Sequence, residues 1–145
     1  MREIDTEIVI DAAPERVWEI LTEFESFPDW NPFMRRIEGE PEAGSKLEVE
    51  LEPPDGKAMT FKPTVLVSEA NRELRWLGRL LLPRIFDGEH VLELSPIEGG
   101  GTRFAHREEF RGLLVPLLGK TLERTERGFR AMNEALKERA EAPER

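Results

Sequence analysis

Leu118, Leu122, Thr125, Phe129, Met132 and Leu136 follow one another at spacings of four, three, four, three and four. That rhythm lines one face of an α-helix, and over residues 116–140 it constrains the fold more than any other stretch. Pro116 suits a first helical turn, and no proline interrupts the chain again until Pro143. Glu123/Arg127 and Glu126/Arg130 make i,i+4 pairs on the other faces. At about 1.5 Å per residue such a helix runs roughly 37 Å, so its apolar stripe needs a broad cover. The middle of the stripe holds Thr125, with Gly128 beside it, where a packed core would place Leu. The thinning predicts a hollow bordered by Gly128.

The cover reads as β. Ile4, Thr6, Ile8 and Ile10 alternate with Glu3, Asp5, Glu7 and Val9, the period of a half-buried strand. Pro14 then opens a short helix with Val17, Ile20, Leu21 and Phe24 on one face. Phe27-Pro28-Asp29-Trp30-Asn31-Pro32-Phe33 predicts one irregular helical turn that buries its rings, with Asn31 capping or tying it. Trp18 and Trp30 read first as packing for these small helices. Strand patterns follow over 35–40, 46–52, 59–67, 74–80, 86–97 and 102–111, and Pro63 demands a bulge or an edge position. Pro53-Pro54-Asp55-Gly56 and Gly99-Gly100-Gly101 mark turns. Short turns between successive strands imply an antiparallel meander. The expected class is α+β: a curved antiparallel sheet of about seven strands, in the order β-α-α-β6-α, around the long C-terminal helix.

With 145 residues, the chain fits a single domain over 1–141, followed by a disordered tail at 142–145. A balance of 21 basic against 30 acidic residues, net −9, argues against a nucleic-acid partner, which calls for a cationic surface. The absence of cysteine excludes disulfides, thiolate nucleophiles and Cys-based metal sites. No apolar run is long enough for a membrane span, no signal peptide is visible, and the expected location is the cytoplasm.

The stretch Ile10-Asp11-Ala12-Ala13-Pro14-Glu15-Arg16-Val17-Trp18, followed by Phe27-Pro28-Asp29-Trp30-Asn31-Pro32-Phe33, resembles the opening of the SRPBCC superfamily. More narrowly it resembles the polyketide cyclase/dehydrase-like branch, related to START lipid-transfer and birch-pollen-allergen domains. The strand from Gly101-Thr102-Arg103-Phe104 through Ala105-His106-Arg107-Glu108 to Glu109-Phe110-Arg111-Gly112 is similar to that branch's last strand. The resemblance spans nearly the whole chain and implies a helix-grip fold, in which a curled sheet holds the long helix over an internal cavity. It does not imply one activity, since such folds host carriers, cyclases and hydratases.

Thr125, Gly128, Gly78 and Gly88 are expected near that interior, with Phe61, Trp76, Phe86, Phe104 and Phe129 as fillers. The expected ligand wall comprises Trp30, Phe61, Trp76, Phe86, His90, Leu92, Phe104, His106, Glu108, Leu122, Thr125 and Phe129. In a meander alternate turns share an end, so residues 53–56, 80–86 and 112–116 should cluster. Two of these segments are oily: Leu80-Leu81-Leu82-Pro83-Arg84-Ile85-Phe86 and Leu113-Leu114-Val115-Pro116-Leu117-Leu118. They read as a pocket mouth, as a plug, or as a dimer or membrane contact.

His90, His106 and Glu108 are polar exceptions on apolar strand faces. Three roles fit them: structural pairing at the rim, a polar anchor for a ligand, or an acid–base pair formed by His106 and Glu108. No metal-ligand spacing such as HExxH is present, and the triple glycine opens no helix, so neither a metal nor a phosphate-bearing cofactor is expected. Ser26, Ser45, Ser68 and Ser95 fall in turn-like or strand-end contexts that do not suit a nucleophile. The leading expectation is a binding protein for a small apolar ligand, lipid-, polyketide- or aromatic-like. The alternatives are a cyclase or dehydratase, and an interaction module or homodimer using the Leu-rich segments.

Overall fold

The computed structural model describes residues 2–80 and 86–143. In chain order it has β1 (Arg2–Ile10), α1 (Pro14–Thr22), a 3-10 turn (Phe24–Ser26), α2 (Phe27–Trp30), β2 (Met34–Glu38), β3 (Glu48–Leu51), β4 (Met59–Phe61) and β5 (Thr64–Glu69). There follow β6 (Glu73–Leu80), β7 (Phe86–Pro96), β8 (Thr102–Arg111), a second 3-10 turn (Val115–Leu117) and α3 (Gly119–Glu141). This is the α+β helix-grip order, with eight strands among the described residues in place of about seven. Most of the oily 80–86 segment, and the last two residues of the expected tail, lie outside the described residues. Among the described residues no helix is long and apolar enough to cross a membrane.

The extra strand has a local cause. The stretch expected as one strand over 59–67 is cut into β4 and β5 at Pro63, which has no N–H for a ladder. The cut divides the sheet into a five-stranded part, β1-β8-β7-β6-β5, and a three-stranded part, β2-β3-β4. Backbone bonds still join them: Leu47 N–H donates to the Pro63 carbonyl at 2.8 Å, and Val65 N–H to Ser45 at 2.9 Å. All pairings are antiparallel, and β1 closes the far edge of the meander against β8.

Alternation decides which way each strand faces. In β1, Ile4, Thr6 and Ile10 are buried while Asp5 and Glu7 face solvent. α1 buries Val17, Ile20 and Leu21, and stops at Thr22, so that Phe24 enters the core from the 3-10 turn. Asn31 is fully buried and ties the exit of α2 to β2: its Oδ1 accepts from Phe33 N–H at 3.0 Å and from Met34 N–H at 2.8 Å. Trp30 packs edge-on against Phe27 at 5.2 Å between centroids.

α3 starts at Gly119, three residues after Pro116, because Val115–Leu117 forms its own tighter turn. It buries Leu122, Thr125, Gly128, Phe129, Met132, Asn133, Leu136 and Ala140. Ala142 ends it in an extended conformation (φ −69°, ψ 146°), the state favoured for a residue preceding a proline.

Gly128 corrects an expectation. It borders no hollow: a Cβ placed there would lie 2.6 Å from Cε1 of Phe33, and closer still to Cδ1. Phe33 is itself buried and packed on Phe129 at 5.5 Å between ring centroids. The missing side chain is a notch for a ring from the loop before β2, not a thinning of the core. Gly128→Ala should therefore destabilise the protein in urea by about 1 kcal/mol, because overpacking at ~1–3 kcal/mol outweighs the ~1 kcal/mol gained in helix propensity. In a Phe33→Leu background the same substitution should become neutral or stabilising, which urea denaturation of the four proteins checks.

Candidate functional site

A cavity of about 80 Å³ lies between the first turns of α3 and the sheet, open to solvent at one end. Its walls are Met34 of β2, Val49 and Leu51 of β3, Met59 and Phe61 of β4, and Trp76, Gly78 and Arg79 of β6. Phe86, Gly88 and His90 of β7, Glu108 and Phe110 of β8, and Thr121, Leu122 and Thr125 of α3 complete it, with Pro53 and Pro63 at the connections. The lining is mostly carbon. In the 113–118 segment Val115 is buried and Leu118 packs against the core, while Leu113 and Leu117 stand 77% and 78% exposed.

Seven of the twelve expected wall residues meet here: Phe61, Trp76, Phe86, His90, Glu108, Leu122 and Thr125. The other five lie elsewhere. Leu92, Phe104, His106 and Phe129 are buried in solid core behind the cavity. Trp30 faces the opposite end of the molecule, in a groove with Arg16, Glu19 and Arg139 between α1 and the end of α3. His106 and Glu108 consequently do not share the cavity. Both point inward from β8, but His106 sits across from Leu92 while Glu108 sits across from His90. That two-residue step along the strand carries His106 from the wall into the core.

Behind the wall runs a line of buried polar contacts. The Thr6 hydroxyl donates to the His106 carbonyl at 2.8 Å, and Asn133 Nδ2 donates to Thr6 Oγ1 at 2.9 Å. Asn133 Oδ1 lies 2.8 Å from His106 Nδ1, and His106 Nε2 lies 2.7 Å from His90 Nε2. His90 Nδ1 stands 3.3 Å from Oε1 of Glu108. Phe129 stacks on His106 at 3.9 Å with 8° between the rings, and Trp76 stacks on His90 at 5.1 Å. Burial holds His106 well below the ordinary imidazole range, the nearby His90 pushes it the same way, and the Asn133 bond opposes them.

Periodicity named His90, Glu108 and Thr125, put Thr6 on the face of β1 shared with Ile4 and Ile10 but gave it no role, and missed Asn133. Asn133 falls four residues after Phe129 on the same helical face, which is the signal that could have found it. Met34, Val49, Leu51, Pro53, Met59 and Pro63 were missed as wall residues because they come from β2–β4 and the connections beside them, which form a separate three-stranded part of the sheet.

A long helix clasped by a curved antiparallel sheet, with a small apolar cavity at one end, defines the helix-grip class of fold. The chain belongs to the polyketide cyclase/dehydrase and lipid transport family, whose model matches residues 1–141. Among solved structures it is similar to the Zhui aromatase/cyclase from Streptomyces sp. R1128, at 15% identity and TM-score 0.78, covering 97% of this chain and 93% of that one. It is also similar to a START superfamily protein from Mycobacterium smegmatis (19% identity, TM-score 0.73, 96% and 97% covered). A protein from Mesorhizobium loti is similar at 19% identity and TM-score 0.74, with 94% and 95% covered. At these identities the likeness is one of fold. No curated protein matches the sequence significantly.

The depressed His106 has a consequence for stability. The unfolded imidazole takes up a proton below about pH 6.5 and the folded one does not, so its share of stability is intact above that pH and is lost as pH falls. Between about pH 7.5 and about pH 5.5, the wild type should therefore lose more stability than His106→Gln. Chemical denaturation of both proteins at the two pH values measures the difference.

Proposed function

We propose that the protein binds a small apolar ligand of aromatic size in this cavity, with the His90–Glu108 pair as the polar anchor in its wall. The observation that carries this reading is a carbon-lined space, open at one end, interrupted deep inside by one imidazole–carboxylate contact. Size narrows the ligand. A volume of about 80 Å³ is roughly half that of an engineered cavity of ~150 Å³ that takes up benzene. A small ring sits partly in the mouth, and a lipid chain cannot be enclosed without displacing walls. The family description and the aromatase/cyclase neighbour are in keeping with a ligand of this kind.

A second reading, acid–base chemistry on the bound ligand, is favoured by one feature: a carboxylate and an imidazole in contact on the wall itself. In that case the pair is His90 and Glu108, with His106 behind His90 and out of reach of the ligand. Docking of a partner or a second copy rests on the exposed Leu113 and Leu117.

Gly78 offers the test. A Cβ there would meet Pro63 Cβ at 3.7 Å and the Gly88 carbonyl at 4.0 Å, ordinary contacts. Gly78→Val should therefore fold, occupy the cavity and abolish toluene binding measured by saturation-transfer NMR. Toluene binding undiminished in the folded variant, or absent from the wild type, would rule out this cavity as the site. Native mass spectrometry of freshly purified protein should also show a small co-purifying molecule.

A further inference from the structure

Building on this binding reading, we infer that the buried line from Thr6 to Glu108 has one hydrogen-bond direction, which presents Glu108 to the cavity as an acceptor and selects ligands bringing a hydroxyl or N–H. The direction is set at the far end. A backbone carbonyl only accepts, so the single proton of the Thr6 hydroxyl is committed to His106 O at 2.8 Å. Thr6 Oγ1 must then accept from Asn133 Nδ2, which turns Asn133 Oδ1 toward His106 Nδ1. An amide oxygen also only accepts, so the proton of His106 is on Nδ1.

Neutral His106 then has a bare Nε2, and His90 Nε2 donates to it across 2.7 Å. The remaining His90 nitrogen faces Oε1 of Glu108 at 3.3 Å. Oε1 is thus the carboxylate oxygen turned to His90, and Oε2 is the one left as an acceptor for a ligand. Gly88 keeps that oxygen free, since a Cβ there would collide with Oε2.

The other polar groups of the wall are Thr125, Thr121 and Arg79. The Thr125 hydroxyl donates to the Thr121 carbonyl at 2.9 Å and offers only lone pairs to the cavity. Thr121 can act either way. Arg79 Nε lies 3.7 Å from Asp87 Oδ1, and its side chain is half exposed at the rim. A half-turn of the Asn133 amide would reverse every link, but only by withdrawing the Thr6 proton from the His106 carbonyl. In that reversed line His106 would carry its proton on Nε2 and His90 would turn Nδ1–H to Oε1. Thr6 and Asn133 are thus positioning residues that set which nitrogen of each imidazole is protonated.

Two measurements on the wild type test this. Histidine ¹⁵N shifts and two-bond couplings should give His106 as the Nδ1-protonated neutral tautomer and a protonated Nε2 on His90; a protonated Nε2 on His106 would overturn the assignment. Phenol should bind about fivefold or more tightly than its isostere toluene, and Glu108→Met should erase the difference. Equal affinity of the wild type for phenol and toluene would overturn the selection and leave the cavity reading standing. If neither binds, the cavity reading fails and the selection fails with it.

Discussion

The seating of Phe33 against Gly128 sets how closely α3 approaches the sheet, and the rest of the interior follows from that distance. With no Cβ at 128, the Phe33 ring lies against the helix and tilts onto Phe129. Phe129 in turn lies flat on His106, and His106 touches His90, which stacks under Trp76. These rings make a continuous aromatic column from the loop before β2 across to β6. On its C-terminal side, with Met132, Leu136 and Ala140, the interior is solid. On its N-terminal side α3 presents Thr121 and Thr125 where larger side chains would fill the gap, and there the cavity opens. One molecule thus has a packed half that fixes the helix and a loose half that leaves room.

Four polar side chains run through the packed half, and their burial makes them interdependent. Thr6, Asn133, His106 and His90 are all almost wholly removed from solvent. A buried polar group left without a partner costs about 1–3 kcal/mol, so each of them holds its neighbour in place, and truncating one strands the next. Such a line adds little net stability over a well-packed apolar core. What it adds is orientation: two imidazoles are fixed by ring stacking, by the hydrogen bonds between Asn133 and His106 and between His106 and His90, and by the His90–Glu108 contact. Glu108 is the point where this oriented line reaches the cavity.

Much of the fold was legible because it depends on local period. The stripe from Leu118 to Leu136 and the alternation in β1, β7 and β8 place helix and strands correctly, and Pro63 marks where the sheet divides. The site was only half legible, for a geometric reason. A period of two puts His90, His106 and Glu108 on inward faces, but how deep each lies depends on the register that pairs His90 with Glu108 and Leu92 with His106. Register is a property of two strands and their turn, which alternation in either one does not encode. Gly128 failed similarly. An absent side chain signals a void or a close approach with equal force, and only the position of Phe33, ninety-five residues earlier, separates the two. Trp30 was misplaced because an aromatic in a turn carries no sign of which end of the barrel it serves.

The size of the hollow and the chemistry of its wall bear on one another. A cavity of about 80 Å³ cannot surround a large molecule, so in the proposed mode of binding a longer ligand enters end-on and leaves its remainder in the mouth, among Met59, Arg79 and Phe86. Only the inserted end then meets Glu108. Discrimination falls on the terminal group rather than on length, because apolar walls separate ligands differing by one methylene by only ~1–3 kcal/mol, whereas a buried acceptor left without a donor rejects the wrong end group more strongly. In the proposed mode of binding, a small pocket with one acceptor oxygen at its floor is therefore more selective than a large apolar one.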